Sequence, residues 1–454
     1  MAGELYTADA RPVAPPVSGG GKLRLFLLAL VIVVIAEAIG NVSIPVGAGK
    51  IVLLPLLWAL LLGGALGLMS PHLPVSLRLS GALQNAAGAY LQPALLIFIA
   101  KLGLLVGGSL PKILASGWAL AFQEFGHFFG TMVFGLPVAL LLGIKREAIG
   151  ATFSVGREPS LAIIGERYGM DSPEGRGVLA EYLTGTVFGA VFIALLAGLI
   201  TSLKIFNPLA LAMGAGVGSG SMMAAASGAI AAQQTPEVAK DVATFAAASN
   251  LVTTTIGTYF TLFLSLPFTI WAYGKLEPIL GRNRPDAARP AAAEPQGAAP
   301  AHQEGRIGLG ETVLAWILIG AYGLIGNWLT YGVVPAASVV AGMAIIIGTV
   351  LAGWALYLLL GRRLPAVLWV SIIGMALTYP GTPYAAEIAA LTGKLNFLAL
   401  ATPILTFAGL SVAKDVPAFR RLGWRIVVVS FMANAGTFLG AVLIAQFFMH
   451  PPLG

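Results

Sequence analysis

The chain has 454 residues, 57% hydrophobic and only 10% charged, with no cysteine and a formal charge of +7. Soluble domains carry roughly 25% charged residues, so this composition, with a mean hydropathy of +0.88, excludes a soluble fold and points to an all-α integral membrane protein. Disulfides and thiolate metal sites are excluded too, and the basic residues sit in short loops between apolar runs, which argues against nucleic acid as a partner.

Residues 1–21 are polar and rich in Pro and Gly and read as a disordered cytoplasmic tail. They lack an early basic region, and the apolar run after Lys22 has no small-residue cleavage site at its end, so no signal peptide is expected. Apolar runs of spanning length follow at 23–39, 51–70, 90–108 and 117–143. Segment 147–266 then differs from the rest. Two short apolar segments, 147–168 and 208–232, are interrupted by Ser154-Val155-Gly156-Arg157-Glu158-Pro159-Ser160 and by Gly214-Ala215-Gly216-Val217-Gly218-Ser219-Gly220-Ser221. Each precedes a long apolar helix, at 177–203 and 244–267. A linker dense in Ala, Pro, Gly and charge covers 274–308. Five further spans are expected at 311–329, 336–360, 366–379, 396–412 and 424–449, the third being short. Alternating ten-residue segments of a strand-built barrel are missing.

Irregular backbone at membrane depth survives only inside protein or along a cavity, and paired interrupted segments mark the binding site of many transporters. Both segments are therefore read as re-entrant hairpins whose tips meet near the midplane. With the N-terminus inside, eleven crossings place 20 of the 26 Lys and Arg on the cytoplasmic side; Lys50, Lys112, Lys204, Lys240 and Lys394 fall outside and Lys101 within a span. This is the positive-inside bias, and it places the C-terminus outside.

The chain also repeats itself. Gly103-Leu104, Val106, Pro111, Gly117-Trp118, Phe125 and Gly130-Thr131 return 306 positions later as Gly409-Leu410, Val412, Pro417, Gly423-Trp424, Phe431 and Gly436-Thr437. An odd number of crossings separates the copies, so they are inverted. Ser172-Pro173-Glu174 and Thr235-Pro236-Glu237 echo each other after the two hairpins. The expected organisation is scaffold repeat 1 at 22–143, a mobile, elevator-like core at 144–273, the linker, and an extra helix with scaffold repeat 2 at 309–450.

A half-helix N-terminus suits an anion. Ser160 and Ser221 are placed to cap the returning half-helices, with Ser154, Gly156, Gly218 and Ser219 beside them. Tight helix packing is the alternative use of these small residues. Arg157 and Glu158 form an ionisable pair at membrane depth; Arg157 can fork onto a carboxylate and Glu158 can neutralise it or carry a proton, unless the two simply pair. In the following helices, Glu181, Thr184 and Thr186 form one polar group, and Asn250, Thr253, Thr254 and Thr255 another. Glu124 and His127 share a helix face with Gln123 nearby; their counterparts in the second copy are Ser430 and Ala433, which suits a local ion pair or a scaffold-core contact better than a relay. Gly63-Gly64-x-x-Gly67 suits a homodimer through the scaffold.

Segment 147–266 resembles the LrgB/CidB membrane family in its Ser-Val start, the proline four residues after that valine, the serine after it, the Ala-Met-Gly run and Phe-Ala-Ala-Ala before a Thr-rich helix. Segment 23–143 is similar to the partner LrgA/CidA family, notably at Ile44-Pro45-Val46-Gly47. The resemblance implies a bacterial inner-membrane carrier of small organic acids such as glycolate, glycerate or pyruvate, akin to a plastid carrier built as a fusion of the two. Gly156-Arg157-Glu158 departs from the uncharged pattern of that family. The expectation is thus a secondary active transporter with no cofactor or metal, its drive left open between H+, Na+ and none. A holin-like pore or membrane regulator of cell-wall hydrolase activity is the alternative. No Gly-x-Ser-x-Gly, His-Glu-x-x-His or P-loop suggests an enzyme.

Overall fold

The computed structural model describes residues 18–46, 49–74, 77–115, 118–170, 172–281, 307–361, 365–420 and 423–449; the expected tail up to residue 17 and most of the linker lie outside them, while 19–21, expected in the tail, are already helical. Among the described residues the protein is all-α apart from one small hairpin. Helix α1 (Gly19–Ile39), started by Ser18, shows how its elements sit. Leu25, Ala29, Ile32, Val33 and Ala36 are buried, while Leu27, Val31 and Ile35 form an exposed apolar stripe. Such stripes would be untenable in water.

The span expected at 51–70 begins later than its hydropathy suggests. Strands β1 (Val42–Val46) and β2 (Gly49–Leu53) pair antiparallel with Ile44 opposite Ile51, because β-branched residues favour a pleated pair. Only then does α2 (Pro55–Met69) start, with proline in its first turn. Helix α3 (Gly81–Ala115) runs beyond its apolar stretch at both ends, and α4 (Ala119–Leu141) follows.

Both interrupted segments break as helices where the glycines and serines fall. The first gives α5 (Glu147–Thr152) and α6 (Arg157–Tyr168). After it come α7 (Pro173–Thr184), a π turn at Gly185–Gly189 and α8 (Ala190–Ser202). The second gives α9 (Pro208–Gly216) and α10 (Gly220–Ala231). Beyond it are α11 (Pro236–Phe260), a π turn at Thr261–Ser265 and α12 (Leu266–Leu280). The linker expected from 274 therefore begins late: α12 continues through Leu280 in spite of Gly274 and Pro278.

The remaining helices are α13 (Leu309–Tyr331), α14 (Ala337–Leu359), α15 (Ala366–Thr378), α16 (Ala385–Gly393), α17 (Phe397–Val412), α18 (Val416–Arg420) and α19 (Trp424–Phe448). Every residue of α17 except Ala408 is buried, so it lies at the centre of the bundle. Helix α2 packs on α17, α3 on α15, and α4 on α19. Among the described residues seven helices are long and apolar enough to cross a bilayer, eight if α16 and α17, bent by 60° at their break, form one span. The protein is a multi-pass integral membrane protein.

Two glycines of the Gly63-Gly64-x-x-Gly67 face are used within the chain. A Cβ on Gly63 would lie 2.9 Å from Leu410 N, and one on Gly67 2.9 Å from Ala413 Cβ. That part of the face closes on α17 and the residues after it.

Candidate functional site

The first break is a serine turn. Ser154, almost wholly buried, accepts a hydrogen bond at 3.0 Å from Gly156 N–H. Gly156, not a serine, occupies the N-cap position before α6, and no side chain caps the helix. This corrects the capping role expected of Ser160. It is the fourth residue of α6, its own N–H already bonds Gly156 O at 2.8 Å, and its hydroxyl is buried without a partner among the described residues. Ser154 and Ser160 flank the same point: a Cβ on Gly156 would sit 3.2 Å from one hydroxyl and 3.6 Å from the other. Arg157 and Glu158 open α6, and their side chains lie outside the described residues.

At the second break Gly218 has φ of +97°, a conformation that favours glycine. The cap is Ser219, whose hydroxyl accepts from Met222 N–H at 3.4 Å, and not Ser221, which is expected from sequence. Ser221 falls inside the first turn of α10, and its hydroxyl lies 3.2 Å from that of Ser219. Asn250 of α11 holds this break: its amide nitrogen donates to Gly216 O at 2.8 Å and Gly218 O at 3.2 Å. Ser249 adds a bond to Met213 O at 2.7 Å. Carbonyls released where α9 ends are thereby satisfied, as buried backbone requires.

The other predicted residues divide. Glu181 is buried and receives Asn434 Nδ2 of α19 at 3.4 Å. Thr184 bonds back to Ala180 O and Thr254 to Asn250 O, each at 2.8 Å within its own helix. Thr254 is also exposed, so its hydroxyl serves its helix rather than the break. Thr253, next to it, reaches across to Glu124 of α4.

A connection that the sequence does not announce links the two halves. Ser265, in the π turn after the second break, donates to Phe153 O, immediately before the first break. Reciprocally, Gly189, in the π turn after the first break, lies under Met222 of α10, with its Cβ position 3.3 Å from the sulfur. Each break thus rests on the widened turn that follows the other. π turns inside helices are rare and frequently fall at functional positions. The second break also touches the bundle around it, since a Cβ on Gly220 would meet Leu95 of α3 at 2.5 Å.

The polar entry to α5 is pinned by ion pairs. Lys145 binds Glu277 at 2.8 Å, Arg146 binds Glu174 at 2.6 Å and Arg176 binds Glu147 at 2.9 Å. Hydrogen bonding to the Glu277 carboxylate holds the exposed Lys145 ammonium above its ordinary value, and Glu174 does the same for Arg146. These pairs fix the start of the first segment against α7 and α12, leaving its break deeper in the protein. Two helix N-termini with serine hydroxyls beside them, in a largely buried setting, can receive an anion through backbone N–H groups.

No curated protein and no solved structure matches the sequence. One family does, described as a protein of unknown function (DUF3100), over residues 34–275, more than half of the chain and including both breaks. The chain belongs to that family.

Proposed function

We propose that this protein is a secondary carrier of small carboxylates, of the glycolate, glycerate or pyruvate kind, with its binding site at the two broken helices. The observation that carries this reading is the reciprocal seating of the breaks, Phe153 O on Ser265 and Met222 on Gly189. It seats each broken segment on the helix that follows the other, and the positive ends of half-helices are a means by which carriers hold a carboxylate. In this reading the broken segments are re-entrant hairpins entering from opposite sides. Counting α1, α11–α12 and α15 as crossings gives eleven, the number on which the basic residues divide by the positive-inside bias.

The side-chain pairs between distant segments agree with that topology. Lys22–Glu311 and Lys145–Glu277 join groups assigned to the cytoplasmic side, and Lys112–Asp241 joins groups assigned to the outer side. The crossing of α4 with α19 joins equivalent positions of the two sequence copies, which supports an inverted scaffold around the core formed by 144–273. The likeness to LrgB/CidB in the core points to the same class of substrate, moved across a bacterial inner membrane.

The test is counterflow. Protein in liposomes loaded with unlabelled glycolate, glycerate or pyruvate is expected to accumulate the labelled acid saturably, and Arg157→Ala and Ser160→Ala to reduce that uptake while the protein still inserts. Stepwise conductance in a voltage-clamped bilayer, without saturable counterflow, would instead establish a pore.

A further inference from the structure

Helix α4 carries a buried ionisable pair outside the broken helices. Glu124 and His127 are both at most 2% exposed. Three groups converge on the carboxylate. Gln123 Nε2 donates to Oε1 at 2.8 Å, Thr253 of α11 donates to the same oxygen, and His127 Nδ1 lies 3.1 Å from Oε2. The other ring nitrogen of His127, Nε2, is buried with no partner among the described residues. Phe128 stacks on the imidazole at 4.5 Å, and Phe260 of α11 on Phe128 at 5.5 Å, so the surroundings are apolar.

Packing does not call for these residues. The second copy carries Ser430 and Ala433 at the equivalent positions of α19, both buried. A buried ion pair rarely gains stability over an apolar one, because desolvation offsets its attraction. Ionisable side chains at membrane depth are by default functional. The asymmetry therefore belongs to a task that one copy performs and the other does not.

We propose that Glu124 and His127 form a proton-binding site within the membrane, with Nε2 of His127 as the atom that takes the proton. In one state Nδ1–H donates to the Glu124 carboxylate and Nε2 carries a lone pair, so the pair bears one negative charge. A proton arriving from water adds to Nε2, no other bond forms or breaks, and the pair becomes neutral overall. Thr253 makes the pair a contact between α4 and α11, so its charge acts on the seam between the bundle and the broken-helix unit. As the site of the coupling ion it rests on the carrier reading; as a proton site it does not.

Other titratable groups on the elements packed against α4 do not bond the pair among the described residues. Helix α9 and the π turn at Thr261–Ser265 carry none. Glu147 of α5 binds Arg176, and α12 brings Tyr273, Lys275 and Glu277, the last bound to Lys145. Helix α19 brings Arg425 in its first turn. Helix α11 brings Glu237, Lys240 and Asp241 near its start, the last bound to Lys112, and the exposed Tyr259. Glu181 of α7 meets Asn434 of α19 instead.

The experiment is nitrogen NMR of the full-length protein in liposomes with 15N-labelled histidine, titrated between about pH 5 and about pH 8. Four histidines keep the spectrum simple, and His127→Gln identifies the signal. The expected result is one histidine whose Nε2 gains a proton as the pH falls while Nδ1 stays protonated. Glu124→Gln moves that transition to lower pH, as does Glu124→Asp, which keeps the charge but withdraws it from Nδ1, should the first variant fail to fold. A His127 signal fixed in one state across the range, or a transition that neither variant moves, overturns the proposal. Saturable carboxylate counterflow without this titration would leave the carrier and remove the proton site. Titration without counterflow would leave the proton site and remove the carrier.

Discussion

The hydroxyls of Thr131 and Thr437 lie 2.6 Å apart, and the two residues are 306 positions apart in the chain, the same interval that separates the two sequence copies. Thr131 spends its proton on His127 O at 2.7 Å, so Thr437 donates across the interface. Around this bond α4 and α19 approach until backbone meets backbone. A Cβ on Gly130 would fall 2.1 Å from Gly436 O, and one on Gly436 2.2 Å from Gly130 O. Equivalent residues touching each other is the signature of a twofold relation at that point.

That crossing has a steep dependence on side-chain size. Gly436→Ala forces the helices apart, and overpacking of this kind costs about 1–3 kcal/mol or more. Thr437→Val removes one interhelical hydrogen bond, which is worth only about 0.6 kcal/mol on average in a membrane protein. The apparent melting temperature of the detergent-solubilised protein should therefore fall clearly further for Gly436→Ala than for Thr437→Val. Equal or reversed effects would contradict the close approach.

The second break depends on Asn250 more than on its own residues. Asn250→Leu leaves the buried Gly216 O without its donor, at about 1–3 kcal/mol for an unsatisfied buried group, and the part-buried Gly218 O without its own at a smaller cost. Asn250→Asp is expected to be worse, because it turns an acceptor toward two acceptors. Hydrogen exchange of the backbone from 216 to 221 should accelerate in both variants while that of α17 is unchanged. Protection that survives in Asn250→Leu would assign the break to local sequence alone.

Much of this arrangement is legible from residue type, and the exceptions have physical reasons. Glycine and serine clusters announce the two breaks because a helix cannot keep its ladder through them cheaply. They do not announce the capping residue: Ser219 and Ser221 are equally good caps, and the positive φ of Gly218 decides for Ser219. Hydropathy hides the hairpin of β1 and β2, since Ile51, Val52 and Leu53 are as apolar in a strand as in a span. Seating on the π turns is invisible, because a shift to i→i+5 bonding leaves no residue signature at Gly185–Gly189 or Thr261–Ser265. The contact of Thr253 with Glu124 joins positions 129 apart, and each residue by itself reads as an ordinary helix polar group.

The two serines of α10 give a direct check on the cap. Loss of a serine N-cap costs about 0.5–2 kcal/mol, so Ser219→Ala should lower the apparent melting temperature and Ser221→Ala should lower it much less. Anion binding at this break should follow the same order, because the free N–H groups keep their direction only while the turn is capped. A larger effect at Ser221 would restore the assignment made from sequence.

The ion pairs at the entry to α5 carry a pH dependence whose sign is fixed by chemistry. Glu277 holds Lys145 above its ordinary value, so the contribution of this pair to stability is present below the unfolded lysine value of about 10.4. It is lost as pH rises through the folded value. The difference in apparent melting temperature between wild type and Lys145→Met should therefore be visible at neutral pH and low salt, and close as the pH is raised above about 10.4. Added salt should shrink it as well, since this pair is open to solvent. Arg146, bound to Glu174, supplies the control. A guanidinium stays charged throughout, so the difference caused by Arg146→Met should persist at the alkaline end where that of Lys145→Met has vanished. Parallel behaviour of the two variants would mean that the alkaline loss arises elsewhere in the protein, and that Lys145 does not help to hold the first broken segment against α12.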